Sequence, residues 1–126
     1  MESEEAMEAL YENIARVCHA ANTEYSRMIG EEPLPTWDNL DPDMKRSVIT
    51  GVELVHAEPA LNPKSSHENW MGYKLKEGWT FGPMKDLEKK THPNLLPYAQ
   101  LPGTQKIKDH LFIGICRALL LEDNQL

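Results

Sequence analysis

Helical spacing of apolar side chains near the start of the chain is the feature that most restricts its fold. Within the first thirty residues, apolar positions recur at intervals of three and four, which places them on one face of a helix. These positions are Met7, Leu10, Tyr11, Ile14, Val17, Cys18, Ala21, Tyr25 and Met28. Gly30 follows where a glycine commonly ends a helix. The pattern predicts one long amphipathic helix that must pack against other elements.

Capping signals predict two further helices. Asp41 precedes a proline, and this pair suits the start of a helix, because Asp caps free N–H groups and Pro is tolerated in the first turn. The same helix is predicted to end at Glu58, before Pro59. A third helix is predicted to open at Ser65, because Glu68 stands three positions later as in a capping box. Gly78 is predicted to close it.

A segment rich in Pro and Gly follows at residues 79–102. It predicts an ordered loop that carries a two-stranded ribbon, formed by Trp79–Phe81 and Asn94–Leu96. A fourth helix is predicted from about Pro102 to Leu121, with apolar residues on one face. The expected fold is therefore mainly α, a compact helical domain with one long structured loop. A loop of this length in a compact domain is often functional.

Length and charge limit the function classes. A chain of 126 residues has the size of one domain. We expect an N-terminal helical part at 1–60 that packs on the same core as a domain at 61–126. The net charge of −7 disfavours nonspecific nucleic-acid binding. The acidic start does not resemble a secretory signal, and the longest apolar run is too short to span a bilayer. The lack of a spanning run predicts no membrane partner. Only Cys18 and Cys116 are present, so a reducing, cytoplasmic setting is expected.

The charge is distributed unevenly along the chain. Residues 1–60 hold 13 acidic and 4 basic side chains, whereas residues 61–126 hold 7 acidic and 9 basic ones. Five lysines of the second half gather around two aromatic residues, Trp79 and Phe81; these are Lys74, Lys76, Lys85, Lys89 and Lys90. The second half is therefore predicted to present a cationic surface on an acidic protein.

No catalytic motif is recognisable. The chain lacks a P-loop, a Gly-x-Ser-x-Gly elbow, a Gly-x-Gly-x-x-Gly loop and a His-Glu-x-x-His helix. The histidines are spread without metal-ligand spacing: His19, His56, His67, His92 and His110. Cys18 and His19 are adjacent, but neighbours on a helix point in different directions. We therefore expect a protein that is not an enzyme and that holds neither a metal nor a cofactor.

One motif carries most of the information. The segment from Gly78 to Pro102 contains the pattern Gly-Trp-x-Phe-Gly, then Lys-Asp, then Lys-x-x-His-Pro, then Pro-Tyr-x-x-Leu-Pro. The matching positions are Gly78, Trp79, Phe81, Gly82, Lys85, Asp86, Lys89, His92, Pro93, Pro97, Tyr98, Leu101 and Pro102. The segment resembles the RyR domain, the repeat named after ryanodine receptors, over about residues 66–118. Ile14–Asn22 and Trp37–Val52 are similar to short single-domain RyR proteins of phage and prophage.

The resemblance implies a fold and a class of ligand. RyR domains are α-rich units in which two long helices are joined by a loop with short strands. In microbes they accompany conflict and defence systems, where they have been proposed to sense nucleotide-derived signals. The resemblance thus implies a small non-enzymatic protein that binds or sequesters such a signal, of the cyclic nucleotide or cyclic ADP-ribose type. In a phage, it would act as an anti-defence sponge in the host cytoplasm.

The loop contains residue types that suit this ligand. Phosphate favours lysine ammonium groups, and a purine favours a flat aromatic ring. The candidate ligand-binding residues are Tyr73, Trp79, Thr80, Phe81, Lys85, Lys89, Lys90, His92 and Tyr98. Each of them also has a structural interpretation. Trp79 and Phe81, alternating on a strand, would both point into the core, and the lysines would form a solvated face.

A second function class therefore stays open. The alternative is a protein–protein interaction or assembly module that has no small-molecule ligand and uses the loop as its docking site. In either case a homodimer is the default expectation for a small protein.

Overall fold

The computed structural model describes residues 3–125, and the side chains of residues 3–120. In chain order the elements are α1 (Glu4–Met28), a 3₁₀ turn (Trp37–Asn39), α2 (Pro42–Ala57), α3 (Pro63–Lys76), β1 (Thr80–Phe81), β2 (Thr91–His92), a second 3₁₀ turn (Tyr98–Gln100) and α4 (Gly103–Gln125). This order confirms the predicted, mainly α fold with a structured loop. Among residues 3–125, no helix combines the length and apolar character that crossing a bilayer requires.

The ends of α1 and α2 follow local capping chemistry. The Ser3 side chain accepts a hydrogen bond from the Ala6 N–H and starts α1. Gly30, just past the end of α1, adopts a φ of +83°, the left-handed conformation that glycine favours. The Asp41 carboxylate accepts from the Asp43 N–H at the start of α2. The predicted end of α1 and the predicted start and end of α2 are confirmed.

The predicted start of α3 is wrong. Asn62, rather than Ser65, caps this helix, and its Oδ1 accepts from the Ser65 N–H at 2.8 Å. Pro63 then occupies the first turn, so Asn62 and Pro63 repeat the arrangement of Asp41 and Pro42. The spacing of Ser65 and Glu68 imitates a capping box one turn inside the real helix. The fourth helix begins at Gly103, close to its predicted start, and continues to Gln125.

A single apolar cluster joins the two halves of the sequence. Helices α1, α2 and α4 pack against one another, and α3 packs mainly on α4. The buried members of the cluster are Ile14, Ala15, Cys18, Trp37, Leu40, Val52, Val55, Leu61, Ile113 and Cys116. Removal of these side chains from water is the main force that holds the helices together. Ile14, Cys18 and Tyr25 of the α1 stripe are buried, and α1 packs against α2 and α4. Leu10, Val17 and Met28 of the same predicted stripe are exposed.

The ribbon pairs differently from the prediction. β1 pairs in parallel with β2 at Thr91–His92, and the expected second strand at Asn94–Leu96 is wrong. The chain approaches itself closely at this point. A Cβ atom on Gly82 would lie 2.6 Å from the Thr91 Cβ, so only glycine fits there without a shift. The close pairing explains the glycine of the loop motif.

The two aromatic residues of the loop do not share one face. Trp79 is buried with 7% of its surface exposed, whereas Phe81 is 53% exposed. The expectation that both point inward is therefore wrong. Trp79 precedes the ribbon, and its N–H donates to the Lys74 carbonyl at 3.0 Å, so it belongs to the end of α3. Strand alternation consequently does not apply to this pair.

Candidate ligand-binding site

A polar cavity opens where the first turn of α2, the end of α3 and the loop after β1 meet. Its volume is about 230 Å³, just below the range of about 300–1,000 Å³ that is usual for small-molecule pockets. The lining residues are Asp41, Asp43, Met44, Lys74, Glu77, Trp79, Leu87 and Lys90. Cationic and carboxylate side chains both line this space, together with one aromatic ring.

Lys74 is the buried cation of the cavity wall. Its Nζ lies 5.0 Å from the centroid of the Trp79 ring, a cation–π contact. Burial lowers the pKa of Lys74, and the nearby charges of Glu77 and Asp43 partly oppose this shift. Among the ion pairs of the described residues, none includes Lys74. A lysine with only 6% of its surface exposed is unusual. Its ammonium lies near the carboxylates of Glu77 and Asp43, which favour its charged form.

Lys90 closes the same cavity from the loop. Its backbone φ of +55° is left-handed, which is uncommon for a residue other than glycine. Its Nζ donates to the Glu77 carbonyl at 2.9 Å, and Glu77 stands at the end of α3. Lys90 thus contributes a positive charge at the C-terminal end of a helix, where the helix dipole favours one.

Lys85 and His92 are each close enough to Lys74 and to Lys108 to interact with them electrostatically. We call Lys74, Lys85, His92 and Lys108 the basic cluster. The pKa of Lys85 is lowered to about 8, by burial first and then by the charges of Lys74 and Lys108. The pKa of His92 is lowered to about 4, by burial first and then by Lys85, Lys108 and Lys74. Burial is the larger cause of both shifts, and repulsion among these groups adds to it.

Glu31 is the carboxylate that opposes the basic cluster. Its Oε1 accepts from Lys108 Nζ at 2.6 Å, and its other oxygen accepts from the Gln105 side chain. Gln105 in turn accepts from the Asn94 side chain at 2.7 Å. These bonds tie the segment after α1 to the start of α4. Both carboxylate oxygens of Glu31 therefore already have partners.

His92 is held in the neutral form by its surroundings. Its ring packs edge-on against Trp70, with centroids 5.1 Å apart, and lies 6.4 Å from the Trp79 ring. Its Nδ1 accepts from the Asn94 N–H at 3.0 Å, so the proton of the neutral ring is on Nε2. Nε2 is then available to donate a hydrogen bond.

The structure brings together part of the predicted set. Trp79 and Lys90 line the cavity, and Lys85 and His92 belong to the basic cluster. Tyr73 is half-buried beside the cavity, where burial raises its pKa and the charges of Glu77 and Asp43 raise it further.

The other predicted residues lie elsewhere. Thr80, Phe81 and Lys89 are exposed and are not among the lining residues. The N–H of Lys89 donates to Asp86, in the turn between the two strands. Tyr98 begins the second 3₁₀ turn, with its hydroxyl 3.1 Å from Nε2 of His110 on α4 and with Lys106 Nζ over its ring at 5.1 Å.

Several functional candidates were absent from the predicted set. Lys74 was part of the predicted cationic surface, but nothing in the sequence indicated that it is buried against Trp79. Lys108 belongs to a different helix and carries no local motif. Asp41 and Asp43 were interpreted as capping residues only. Within the described part of the chain, no group of three or more His, Cys, Asp or Glu side chains is placed to hold a metal ion.

The cavity has two kinds of polar wall. Lysines and a hydrogen-bond donor can hold an anion, and the carboxylates at the first turn of α2 can accept hydrogen bonds from a ligand's hydroxyl or amino groups.

The family comparison covers the segment that forms most of this cavity. A family model, the RyR domain, matches residues 52–120, more than half of the chain. The protein therefore belongs to the RyR domain family.

The match also separates two parts of the molecule. It begins inside α2, before the predicted boundary at residue 61, and includes α3, the ribbon and most of α4. The cavity residues from Lys74 to Lys90 lie inside the match. Asp41, Asp43 and Met44 lie before it, as does the whole of α1. The cavity is thus formed partly by the family domain and partly by the segment that precedes it.

Proposed function

We propose that this protein binds a nucleotide-derived anion, of the cyclic nucleotide or cyclic ADP-ribose type, and releases it unchanged. The observation that carries the proposal is the basic cluster, in which the charges of the lysines help to lower the pKa of Lys85 and of His92. Glu31, one of the acids beside the cluster, is already paired with Lys108. A phosphate group placed there would accept charge-assisted hydrogen bonds and relieve the repulsion among the cations. This supports an anionic ligand over a neutral one.

The two polar walls suggest how such a ligand is oriented. Its phosphate is proposed to lie toward Lys74 and Lys85, and its ribose hydroxyl or base amino groups toward Asp41 and Asp43. Lys74 already stands over the Trp79 ring. We therefore assign no base stacking to that face of Trp79, whose role is to hold Lys74 in place.

Binding without turnover would make the protein a sequestering agent. A protein that holds a signal at a dissociation constant below its concentration lowers the free signal by mass action. The phage anti-defence role that the resemblance implies is part of this proposal, as is action in the host cytoplasm.

The first experiment is a thermal-shift screen against nucleotides, cyclic mono- and dinucleotides, ADP-ribose and its cyclic forms. A ligand at about 100 times its dissociation constant stabilises the folded state by about 2.7 kcal/mol, which shifts Tm by several degrees. Ligand recovered intact after denaturation of the complex would support binding without turnover. A screen in which no member shifts Tm would reject the proposal.

A matched pair of variants then locates the site. Lys74→Met keeps the length of the side chain and removes the charge, and Lys64→Met does the same at an exposed position of the same helix. We expect Lys74→Met to weaken binding at least tenfold and Lys64→Met to leave it unchanged, because a charge-assisted hydrogen bond contributes about 1.5–3 kcal/mol. Equal affinity of the two variants, both folded, would place the ligand elsewhere.

A second candidate function rests on a different observation. Three large apolar side chains, Phe81, Met84 and Leu87, are exposed on the loop between the end of α3 and β2. Apolar side chains grouped on a surface commonly mark a protein contact. In this alternative the loop docks a protein partner or a second copy of the chain in a homodimer.

Paired substitutions test the alternative. Met84 is 75% exposed and Met28, on α1, is 76% exposed. If the loop docks a protein, Met84→Ser should reduce self-association in sedimentation velocity, or binding to an isolated stoichiometric partner, and Met28→Ser should not. An equal response of the two variants would argue against docking through the loop.

A further inference from the structure

Two cysteines that are far apart in the sequence touch in the core. Cys18 of α1 and Cys116 of α4 are separated by 98 positions, and their Sγ atoms are 4.0 Å apart. Both are free thiols, with 6% and 0% of their surface exposed. They are the only cysteines of the chain. No other thiol can therefore compete for either partner within one molecule.

The two cysteines lie in different parts of the molecule, so a bond between them would link those parts. Cys116 lies inside the segment that matches the RyR domain, whereas Cys18 lies in α1, before that segment. A bond between them would join the N-terminal helix covalently to the family domain. The sulfurs must approach by about 2 Å, because a disulfide bond is about 2.05 Å long.

We propose that Cys18 and Cys116 form an intramolecular disulfide in the folded protein when it meets a small-molecule disulfide of the glutathione type. In the first step, the Cys18 thiolate attacks one sulfur of the oxidant and displaces one small thiolate, which takes up the proton that Cys18 has lost. In the second step, the Cys116 thiolate attacks the Cys18 sulfur of the mixed disulfide and displaces the second small thiol. The two protein thiols are oxidised by two electrons, and one small disulfide is reduced to two thiols.

The surroundings of the pair determine the order and the speed of these steps. Cys18 is the entry point because part of its surface reaches solvent, whereas Cys116 is fully enclosed. The contact with Cys18 and burial both raise the pKa of the Cys116 thiol, which makes it a poor nucleophile in the closed core. The reaction is therefore slow and proceeds when α1 opens locally from α4.

The bond would stabilise the fold through the unfolded state. Closing a chain segment of 98 residues restricts the unfolded ensemble strongly, and longer segments give larger effects. We expect the oxidised protein to have a Tm at least about 5 °C above that of the reduced protein. Added reductant should reverse the shift after it has reached the buried bond.

The experiment uses the full chain in glutathione buffers of increasing oxidised fraction. Samples are quenched with acid, treated with a maleimide and measured by intact mass. We expect a monomer that has lost two hydrogen masses and takes up no maleimide, together with the higher Tm. The variants Cys18→Ala and Cys116→Ala should show no Tm shift in the same buffers.

Three results would each overturn the proposal. The first is a folded protein that stays a dithiol while the same chain in denaturant oxidises. The second is an end product that is only the glutathione adduct or a disulfide between molecules. The third is an intramolecular disulfide that lowers Tm, since the pair would then have to distort the core to react. None of these outcomes depends on ligand binding at the basic cluster.

Discussion

Polar side chains have different surroundings in the helical core and on the loop side, by which we mean the end of α3 and the loop that carries the ribbon. In the core, buried or half-buried polar side chains have specific partners: His19 Nε2 donates to the Pro35 carbonyl at 2.7 Å, and the Tyr11 hydroxyl bonds His56 Nδ1 at 2.7 Å. On the loop side, the charge of Lys74 helps to lower the pKa of Lys85, and neither lysine takes part in an ion pair of the described residues. Satisfied polar groups contribute to stability, whereas gathered cations reduce it.

The difference indicates that the core provides stability and that the loop side serves another purpose. Natural proteins tend to break the rules of stability at the places where they bind or react. We therefore expect that the core can be weakened without altering the loop side, and that the loop side can be altered without unfolding the core. Four predictions test this separation, from the largest expected effect to the smallest.

The first prediction concerns Ile14, which is almost fully buried between the helices. Ile14→Ala should lower the free energy of unfolding by about 2–5 kcal/mol, because it removes apolar contacts and leaves a cavity. Urea denaturation measures this. The exposed Val17 of the same helix is the control, and Val17→Ala should change stability by less than about 0.5 kcal/mol. Similar losses in both variants would contradict the assignment of the core.

The second prediction concerns Asp109, which lies between the two regions, with Oδ2 3.7 Å from His67 Nδ1. Burial raises the pKa of Asp109 from 3.8 to about 7, and Lys108 partly opposes this. A carboxyl with a raised pKa contributes stability that is present at low pH and lost as the pH rises through about 7. Asp109→Asn should therefore become more stable than the original protein, by about 3 kcal/mol at most, as pH rises from 4 to 7.

The difference in unfolding free energy between the two proteins is the quantity to measure. The pKa of His92, lowered by burial first, gives the opposite dependence, because stability held by a neutral His is lost as the pH falls toward about 4. Since His92 is present in both proteins, its effect cancels. A difference that stays constant from pH 7 to pH 4 would show that Asp109 is not buried as described.

The third prediction concerns the ribbon. Gly82→Ala should lower stability by about 1–3 kcal/mol, because the new Cβ would lie 2.6 Å from the Thr91 Cβ and force the strands apart. Gly72 of α3 is the control, since a Cβ there meets nothing within 4 Å. Gly72→Ala should be neutral or stabilising by up to about 1 kcal/mol. If both substitutions stabilise the protein, Gly82 and Thr91 are farther apart than the structure shows.

The fourth prediction concerns the acidic half of the surface. Arg16 forms ion pairs at 3.3 Å with Glu12 and with Asp38, and all three side chains are substantially exposed. Arg16→Gln should lower the free energy of unfolding by less than about 1 kcal/mol, and the difference should shrink further in high salt. A larger loss of unfolding free energy that persists in high salt would mean that Arg16 stabilises the core, and does not act only through exposed ion pairs.

Local chemistry made the helices predictable. The ends of α1 and α2 depend on Gly30, Asp41 and the residues next to them, and the sequence shows these directly. The same logic failed at α3, because the sequence offers two capping patterns in succession. Asn62 with Pro63 competes with Ser65 with Glu68, and the chain uses the earlier pair.

The site was predictable only in part. The loop motif and the lysine-rich composition pointed to the segment that forms part of the cavity. Of the predicted residues, Trp79 and Lys90 line the cavity, and Lys85 and His92 belong to the basic cluster. Phe81 was expected in the core because its spacing from Trp79 fits a strand, but the strand begins only after Trp79. The partner strand was also wrong, because pairing between distant residues depends on how the loop folds back.

The sequence by itself determined the helices, the uneven charge and the membership of the RyR domain family. These features depend on residue types and on spacings of a few positions, which local backbone geometry converts directly into structure. Only the tertiary structure decided that Lys74 is buried under Trp79, that Lys108 joins Lys85 and His92, and that Cys18 meets Cys116. In each case the residues belong to separate elements. The packing of the helices around one core determines which of them become neighbours.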